Sequence, residues 1–506
     1  MTDFRHSAGN PPQGANNRIA LFGIAAVVAL LHLLTNHRYG FHRDELQFLS
    51  DARHLDWGFV AYPPLTPFLE RISLAAFGLS AGGLRLFSVL AQSLAIVVTG
   101  LMAEELGGGP LEQFAAALAV ALSPLPLFEG TEFQYTSFDY LWWVLVAYFV
   151  VRLLKTENSR WWLAIGTATG LGLMTKYTIA FFVLSLVAGF SLTSHRRLLL
   201  NKWLIAGAGI AVLIFLPNFL WQVHHHFISY RFLQHIHARD VGLGRAHGFL
   251  WKQLVVCTNA YSVPLWVAGL VCFFRSERYR PLAWMYVFPA MFFYFAQGVF
   301  YYLAPAYPML IAMGAVAGGE WVNQLSRVWQ RVVKTLFFAG IAGAGAYGCA
   351  LVLPLATHGP LMEFAVRNND ALREEFGWNE LVATVSQIRD SLPPDRRFKA
   401  GVLVGNYGEQ GAIEILGPAY GLPPPISMTN SAWLRGYPTP QPSTLIVVGF
   451  SREAAERAFT SCQFAGRNDN SLGLQNEESQ SHPDIFVCVG PRMSWPEFWK
   501  AYQNFG

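Results

Sequence analysis

Residues 19–34, IALFGIAAVVALLHLL, form an almost wholly apolar stretch. A bilayer core of about 30 Å needs about 20 largely apolar residues in one helix, so this stretch is close to the length of a membrane span. It has no small-residue cleavage site at its end but continues into His37, Arg38 and Tyr39. We therefore interpret it as a retained first span and not as a cleaved signal peptide.

The same pattern recurs along the chain, in which 53% of the residues are hydrophobic and 13% are charged. Soluble domains carry roughly 25% charged residues, so most of this surface is expected to face lipid. The fold class predicted is an α-helical polytopic membrane protein with about eleven transmembrane helices and a small C-terminal α/β soluble domain. We split the long apolar block 161–193 at the polar residues Thr175-Lys176-Tyr177. The predicted spans lie near 19–37, 82–103, 111–128, 137–154, 161–175, 177–193, 203–221, 250–274, 282–300, 303–322 and 335–356.

The positions of Lys and Arg predict how the chain is oriented, because the loops on the cytoplasmic side of a membrane are enriched in these residues. If the N-terminus is cytoplasmic, every second short loop also lies in the cytoplasm, and these are the loops that carry the basic residues. The segments 38–81, 222–249 and everything after about 357 then lie outside. The small net charge of +4 gives no reason to expect a nucleic-acid partner. The basic residues of the inner loops are Arg152, Lys155, Arg160, Arg196, Arg197, Lys202, Arg275, Arg278, Arg280, Arg327, Arg331 and Lys334.

Three parts follow from this pattern: a disordered cytoplasmic segment 1–18, a transmembrane part 19–356 that includes the external loop 38–81, and an extracytoplasmic α/β domain 357–506. In the last part, FKAGVLVGNYG (398–408), STLIVVGF (443–450) and DIFVCVG (484–490) are typical of short buried strands. Residues 378–391 and 452–460 have helical patterning. A Cys462–Cys488 disulfide is possible if this part is extracytoplasmic.

The external loop after the first span is dense in charged residues. Asp44 and Glu45 lie about one turn beyond the span, at the level of the lipid head groups, where an acidic pair is an unfavourable neighbour for anionic lipid unless it has a function. Asp51, Asp56 and Glu70 are interpreted as charges on a solvated loop. Asp44 is therefore the first candidate for a functional residue.

Four motifs resemble one family of membrane enzymes. FHRDEL (41–46), DWGFVAYPPLTP (56–67), GLMTKYTIAFF (172–182) and YYLAPAYP (301–308) are similar to motifs of the GT-C glycosyltransferases in the protein O-mannosyltransferase superfamily. Bacterial lipid A aminoarabinose transferases and lipopolysaccharide galacturonosyltransferases are relatives within that branch. The resemblance covers roughly residues 19–325. It implies a polyprenyl-phosphate-linked sugar as donor and Asp44 as catalytic base, with Glu45 as its companion. The family includes metal-independent members, so no cofactor is required.

Such a transfer needs a base for the acceptor hydroxyl and positive charge for the departing phosphate. Lys176 can bind phosphate, or it can extend to the interface or pair structurally. Three acids, Glu129, Glu132 and Asp139, lie where relatives carry an acidic or polar residue facing the donor, and the sequence does not separate them. Further candidates for substrate binding are Arg53, Arg71, Arg231, His235, His237, Arg239, Tyr301 and Tyr302.

The tract HHHFISYRFLQHIHARD (224–240) raises the question of a bound divalent cation. Consecutive histidines at 224–226 point in different directions, and 235 and 237 are not one helical turn apart, so we predict no metal site and expect the tract to lie at the interface. In the tail, Asn406, Tyr407 and Asn430, with Glu409, Trp433 and Arg435, are expected on strand-end loops, where acceptor recognition and simple scaffolding are equally compatible with the pattern.

The predicted function is a membrane glycosyltransferase, of the hexosyl or pentosyl type, acting on the extracytoplasmic side of a bacterial inner membrane and inverting the anomeric centre. Its expected partners are a polyprenyl-phosphate sugar and a glycan, lipid A or protein acceptor. A glycan polymerase or ligase and a transporter or flippase remain alternatives. We find no pair of related halves with Gly/Pro-broken spans, which many transporters have. The sequence names neither the sugar nor the acceptor.

Overall fold

The computed structural model describes residues 14–506, and all eleven predicted apolar runs are helical within it. Of the predicted segment 1–18, residues 1–13 lie outside the described residues, and the first helix already begins at Gly14. The helices up to residue 352 are α1 (Gly14–Thr35), α2 (Arg43–Arg53), α3 (Leu65–Phe77), α4 (Ala81–Glu105), α5 (Pro110–Ala121), α6 (Pro124–Glu129), α7 (Tyr135–Thr156), α8 (Trp161–Leu173), α9 (Ile179–Ser191), α10 (Lys202–His224), α11 (Ile228–Gly242), α12 (Phe249–Val255), α13 (Val263–Arg275), α14 (Arg280–Phe295), α15 (Tyr307–Asn323) and α16 (Arg327–Val352), with 3₁₀ turns at Ser194–Leu199, Ala260–Ser262 and Phe300–Ala306.

The predicted count of about eleven spans is not confirmed. Within residues 14–506, six helices are long and apolar enough to cross a membrane, or seven if the pair Phe249–Val255 and Ala260–Arg275, bent by 93°, forms one span. The difference arises because several apolar runs are interrupted. The run 111–128 breaks before Pro124, and the block 161–193 breaks around Lys176, so the resulting helices α5, α8 and α9 have only 12, 13 and 13 residues.

Several long helices expose apolar surface. Ile205 on α10 is 74% exposed and Leu336 on α16 is 65% exposed, and neither helix buries more than a small part of its apolar sequence inside the protein. Large apolar surfaces of this kind are stable only when lipid or another apolar partner covers them. The chain is therefore a polytopic membrane protein, as its composition predicts.

Glycines allow two pairs of helices to pack in backbone contact. A Cβ atom on Gly314 of α15 would lie 1.8 Å from the carbonyl oxygen of Leu265, and one on Gly269 of α13 would lie 2.0 Å from that of Leu310. Gly166 of α8 and Gly207 of α10 meet in the same way. Small residues at helix contacts are typical of membrane bundles, in which close packing replaces the hydrophobic effect as the source of association.

The C-terminal part is built on a five-stranded sheet of order β2-β1-β3-β5-β4, in which β1 pairs parallel with β2 and β3, and β5 pairs antiparallel with β3 and β4. The predicted strands and the helix at 378–391 are present, whereas β2 and β4 were not predicted. Cys462 and Cys488 face each other across β4 and β5 and form a disulfide. The elements are α17 (Pro360–Asn368), α18 (Trp378–Ser391), α19 (Pro394–Arg397), β1 (Ala400–Val404), α20 (Tyr407–Leu416), β2 (Pro425–Ser427), α21 (Asn430–Leu434), β3 (Thr444–Val448), α22 (Arg452–Ala458), β4 (Phe459–Arg467), α23 (Glu477–Ser481), β5 (Asp484–Pro491) and α24 (Trp495–Ala501), with 3₁₀ turns at Asp370–Glu375 and Gly417–Tyr420.

Helix α20 of this C-terminal part packs directly on α2. A Cβ atom on Gly411 would lie 2.5 Å from the backbone of Leu46, so the two helices are in close contact. This contact corrects the interpretation of the first external loop as solvated. Asp51 is buried, pairs with Arg435 and accepts a hydrogen bond from Tyr62, and Glu70 is buried too, whereas Asp56 is exposed as expected.

Candidate active site

A cavity of about 490 Å³ lies where α2, the break between α8 and α9, α11 and the C-terminal part meet. Its wall combines charged groups with an aromatic side that includes Phe181, Phe292 and Phe293. Pockets of this size, largely apolar with a few convergent polar groups, are typical ligand sites. The polar side chains that line it are Asp44, Gln47, Tyr62, Tyr135, Lys176, Tyr177, Thr178, His237, Arg239, Asp240, Arg245, Tyr301, Tyr302, Tyr407 and Asn430.

Asp44 reaches the cavity because it lies in the first turn of α2. His42 caps this helix: its Nδ1 accepts a hydrogen bond of 3.1 Å from the backbone N–H of Asp44. The Asp44 carboxylate accepts a hydrogen bond of 2.9 Å from the hydroxyl of Tyr407 and a second one from Nε2 of Gln134. The carboxylate thus lies at the cavity wall with a hydrogen-bond donor on each of its two oxygens.

Glu45, the predicted companion of Asp44, does not line the cavity. It is fully buried and accepts hydrogen bonds of 2.7 Å from both Nε and Nη2 of Arg85 in α4. The backbone N–H groups of His42 and Phe133 donate to it as well, each at 2.8 Å. Neighbouring positions on a helix point in different directions, so the two acids of the pair have different surroundings.

Lys176 projects into the cavity from the break between α8 and α9. Its Nζ lies 5.1, 5.0 and 4.4 Å from the ring centroids of Tyr135, Tyr301 and Tyr302. Three aromatic faces attract the ammonium group without neutralising its charge. The structure thus brings Lys176, Tyr301 and Tyr302 into one cage, which leaves the cation available for an anionic ligand.

The three acids of the FEGTEFQYTSFDY segment separate into two groups. Glu129 accepts hydrogen bonds from Thr136 (2.6 Å) and Ser137 (3.1 Å), and Asp139 accepts from Thr178 (2.9 Å) and Trp143 (3.1 Å); both act electrostatically on Lys176. Glu132 lies elsewhere, 3.8 Å from Nε2 of His42, and burial together with neighbouring carboxylates raises its pKa well above the usual range. None of the three lines the cavity itself.

Four of the predicted cationic residues are not brought to the cavity. Arg53 borders a separate cavity of about 460 Å³, where it donates to the carbonyl oxygen of Glu414 at 2.9 Å. Arg71 is exposed on α3, and Arg231 and His235 are exposed on α11. Helix periodicity explains why Arg231 and His235 do not reach the cavity. The two positions share a face of α11 that is turned away from the cavity-lining positions 236, 239 and 240.

Arg239 and Arg245 provide the cationic side chains from the α11 region instead. Both line the cavity, and both contact Asp240, at 3.7 Å from Arg239 and 3.0 Å from Arg245. Arg245 was absent from the sequence-based candidates, because no local pattern shows that the residues after α11 fold back onto its inner face. Together with Lys176, these residues make the polar end of the cavity positively charged.

The histidine tract forms no multidentate cluster. Across residues 14–506, no group of three or more His, Cys, Asp or Glu side chains is arranged to hold a metal ion. The ring of His225 instead stacks on Trp221 at 4.0 Å between centroids, and His224 contacts His225 edge to face at 4.9 Å. The His235 ring packs near Phe505 at 5.8 Å.

Comparison with known proteins relates the chain to membrane glycosyltransferases. A model of the dolichyl-phosphate-mannose-protein mannosyltransferase family matches residues 61–221. The chain is 27% identical to the lipid A galacturonosyltransferase RgtD of Rhizobium johnstonii, over 66% of this chain and 70% of that protein. It is 30% identical to the undecaprenyl phosphate-alpha-4-amino-4-deoxy-L-arabinose arabinosyl transferase 1 of Pseudomonas fluorescens, over 50% of this chain and 48% of that protein, so the match spans about half the length of this relative.

The same fold is found in a crystal structure of ArnT from Cupriavidus metallidurans bound to undecaprenyl phosphate. The TM-score is 0.54 at 16% sequence identity, and the match covers 94% of this chain and 98% of that chain. The resemblance to GT-C glycosyltransferases inferred from the sequence is therefore confirmed, and the chain has a GT-C-type membrane fold with a small C-terminal sheet. These relatives match the membrane glycosyltransferase function expected from the sequence.

Proposed function

We propose that this chain transfers one sugar from a polyprenyl phosphate to a hydroxyl group of an acceptor, with inversion at the anomeric carbon. The observation that carries the proposal is that Asp44 and Lys176, from two separate elements, line one cavity. A base and a fixed cation are the two groups that this reaction needs.

In the proposed reaction, the acceptor oxygen attacks the anomeric carbon while its proton passes to the carboxylate of Asp44. The bond between the anomeric carbon and the phosphate oxygen breaks, and its electron pair leaves with the polyprenyl phosphate. Lys176, with Arg239 and Arg245 nearby on the cavity wall, stabilises the phosphate charge. Such fixed charges contribute several kcal/mol in a site shielded from water, on the order of what removal of one oxyanion donor costs.

The apolar side of the cavity suits the lipid part of the donor. Phe181, Phe292 and Phe293 line it, and rings of Phe181 and Phe292 stack at 4.3 Å between centroids. A polyprenyl chain is a branched hydrocarbon, and each CH₂ group that it buries against such a wall contributes about 0.8 kcal/mol. The cavity thus offers an anionic and an apolar subsite side by side, as an amphipathic donor requires.

The roles of the other predicted residues follow from their positions. We assign Tyr301 and Tyr302 to the cage around Lys176, and Glu129 and Asp139 to the support of that cation. Glu45 is assigned to anchoring α2 through Arg85 and not to the chemistry. Arg53, Arg71, Arg231, His235 and Glu132 are not assigned to donor binding, since none of them lines the cavity.

The membrane orientation is part of the same proposal. The N-terminus lies in the cytoplasm, and the α2 segment and residues 357–506 lie on the extracytoplasmic side of the membrane. The positive-inside pattern of the loops supports it. The Cys462–Cys488 disulfide supports it too, because structural disulfides persist in oxidising compartments. We place the protein in the inner membrane of a bacterium, with lipid A, another envelope glycan or protein as acceptor.

The experiment that tests the function uses membranes from cells that express the protein, compared with membranes that lack it. They receive radiolabelled undecaprenyl phosphate sugars in three arms, which carry galacturonic acid, 4-amino-4-deoxy-arabinose or a neutral hexose, and a radiolabelled lipid-linked oligosaccharide in a fourth arm. Label appearing in a lipid A fraction or another acceptor from one arm identifies the sugar and fixes the hexosyl or pentosyl type. Transfer only from a lipid-linked oligosaccharide would support a glycan ligase, and no transfer from any donor would contradict the proposal.

A further inference from the structure

Tyr407 belongs to the C-terminal part of the chain and yet lies at the cavity. It is the first residue of α20, directly after the loop that leaves β1 at its carboxyl end. The side chain of Asn406 caps this helix: its Oδ1 accepts a hydrogen bond of 2.7 Å from the backbone N–H of Tyr407. In open α/β sheets, ligand sites form beyond the carboxyl ends of parallel strands, and β1 pairs parallel on both sides.

The Tyr407 side chain is held by two consecutive residues of α2. Its ring lies under the guanidinium group of Arg43, 4.5 Å from the ring centroid, and its hydroxyl donates to Oδ1 of Asp44 at 2.9 Å. Arg43 is itself fixed, since it is buried and pairs with Glu477 and, at 3.1 Å, with Glu478. Tyr407 therefore has little freedom to move away from the carboxylate.

The hydroxyl of Tyr407 acts as a donor and not as an acid. Burial, together with the nearby carboxylates, raises the pKa of Tyr407 well above its usual range, although Arg43 opposes the shift. The phenol therefore keeps its proton at neutral pH. Gln134 donates to the other oxygen of Asp44, so the carboxylate accepts a hydrogen bond at each oxygen. These two bonds fix the plane of the carboxylate relative to the cavity.

We propose that Tyr407 is a positioning residue for sugar transfer: its hydroxyl, supplied by the C-terminal α/β part, holds the Asp44 carboxylate in the orientation that receives the proton of the acceptor. This inference rests on the proposed function. It makes the C-terminal part a component of the reaction centre, because α2 alone cannot provide this donor. A misplacement of about 1 Å in a reacting group is enough to cost roughly a hundredfold in rate.

The test compares Tyr407→Phe with wild type in the labelled-sugar assay. Phe keeps the ring under Arg43 and removes only the hydroxyl. The expected result is a fall in kcat of about 10- to 100-fold with little change in the KM for the donor, because binding of the donor does not use this hydrogen bond.

Tyr437→Phe is the matched control. Tyr437 lies in the same part of the chain, but its ring packs against Trp495 and Trp499, away from Asp44. This variant should keep the wild-type kcat and the wild-type KM for the donor. The unfolding midpoint of Tyr407→Phe in detergent, measured beside its transfer rate, separates a folding defect from the loss of the hydrogen bond to Asp44.

A double variant separates positioning from general structural support. In an Asp44→Asn background, Tyr407→Phe should have no further effect on the residual rate, because both substitutions act through the same carboxylate. If wild type is active and Tyr407→Phe transfers at the same rate, the inference is overturned and the proposed function stays intact. The same conclusion follows if Tyr407→Phe lowers the residual rate of Asp44→Asn as much as it lowers the rate of wild type. Absence of transfer by wild type would instead overturn the proposed function.

Discussion

Arg85 in α4 donates two hydrogen bonds of 2.7 Å to the carboxylate of Glu45 in α2, and it also contacts Glu375 of the C-terminal part at 3.0 Å. All three side chains are fully or almost fully buried. One guanidinium group therefore ties together a membrane helix, the helix that carries Asp44 and the segment before α18. The adjacent acids Asp44 and Glu45 consequently have separate tasks, one facing the cavity and one fixing its wall.

Glu45→Gln is expected to destabilise the protein. Breaking a buried ion pair by removing one partner costs up to about 3–5 kcal/mol, and the cost here is reduced because Glu375 remains beside Arg85. Thermal unfolding in detergent should show a much lower midpoint, whereas Glu320→Gln, at an exposed position on α15, should leave it unchanged. A well-folded Glu45→Gln protein without transfer activity would restore Glu45 to the catalytic role expected from the sequence.

Lys176→Gln should weaken the binding of the donor. The variant removes the cation inside the cage of Tyr135, Tyr301 and Tyr302, and a charge-assisted contact to phosphate contributes about 1.5–3 kcal/mol. Binding of undecaprenyl phosphate to the purified protein should fall by roughly 10- to 100-fold, as 1.4 kcal/mol corresponds to a factor of ten. Lys155 on α7 pairs instead with Glu105 of α4 at 3.0 Å, so Lys155→Gln should bind undecaprenyl phosphate as the wild type does. Equal affinities of both variants would show that Lys176 is structural.

Gly314→Ala tests the contact between α13 and α15. The added methyl group would lie 1.8 Å from the carbonyl oxygen of Leu265, so the helices must separate, and overpacking of this kind costs about 1–3 kcal/mol. Gly343→Ala on α16 is the matched control, because its Cβ would meet nothing within 4 Å. The unfolding midpoint should fall for the first variant only. Equal midpoints would mean that the two helices are farther apart than in this structure.

Glu409 should make the stability of the C-terminal part depend on pH. Burial, reinforced by Glu478, raises its pKa from 4.5 to about 8 in the folded state. The contribution of Glu409 to the free energy of unfolding is therefore complete below pH 4.5 and is lost as the pH rises through 8. Within that window the free energy of unfolding falls by up to about 1.4 kcal/mol per pH unit.

The measurement is the unfolding midpoint of wild type and Glu409→Gln between pH 5.5 and 9. Gln can keep the capping contact at the start of α20 but cannot ionise, so the wild type should lose stability relative to this variant up to about pH 8 and then run parallel to it. The exposed Glu456→Gln should follow wild type throughout. Parallel curves for Glu409→Gln and wild type over the whole range would contradict the assignment.

Local pattern was enough to predict the apolar helices and to select Asp44 and Lys176 as candidates. It missed α2, α3 and α11, which lie in segments interpreted as external loops. Apolar runs determine helices in lipid, because every backbone polar group must be satisfied within the segment. Charged residues next to such runs are conspicuous, so the positions beyond α1 and between α8 and α9 drew attention to Asp44 and Lys176, and the resemblance to a known family supplied the roles expected of them. The number of complete spans was less predictable, since it depends on where short helices break and bend.

The remainder of the site depends on contacts between distant parts of the chain. Tyr407 and Asp44 are separated by 363 positions, and no local feature of either segment encodes their hydrogen bond. Arg231 and Arg239 look equivalent in the sequence, and only the face of α11 that packs inward distinguishes them. The start of that helix follows His226 and Phe227, both with positive φ, a conformation that is uncommon for residues other than glycine.

The central claim is that Asp44 is the base of a sugar transfer, and the most direct measurement compares Asp44→Asn with Asp56→Asn. Both variants change an acid of the same external segment to its amide, but Asp56 is exposed and accepts a hydrogen bond of 2.7 Å from Trp221 instead of lining the cavity. Each purified, folded protein receives the labelled donor that the wild type uses. We expect Asp44→Asn to bind the donor but to transfer the sugar at least about a hundredfold more slowly than wild type, which is within the range known for general bases. Asp56→Asn should transfer it at nearly the wild-type rate. Wild-type transfer by folded Asp44→Asn would contradict it.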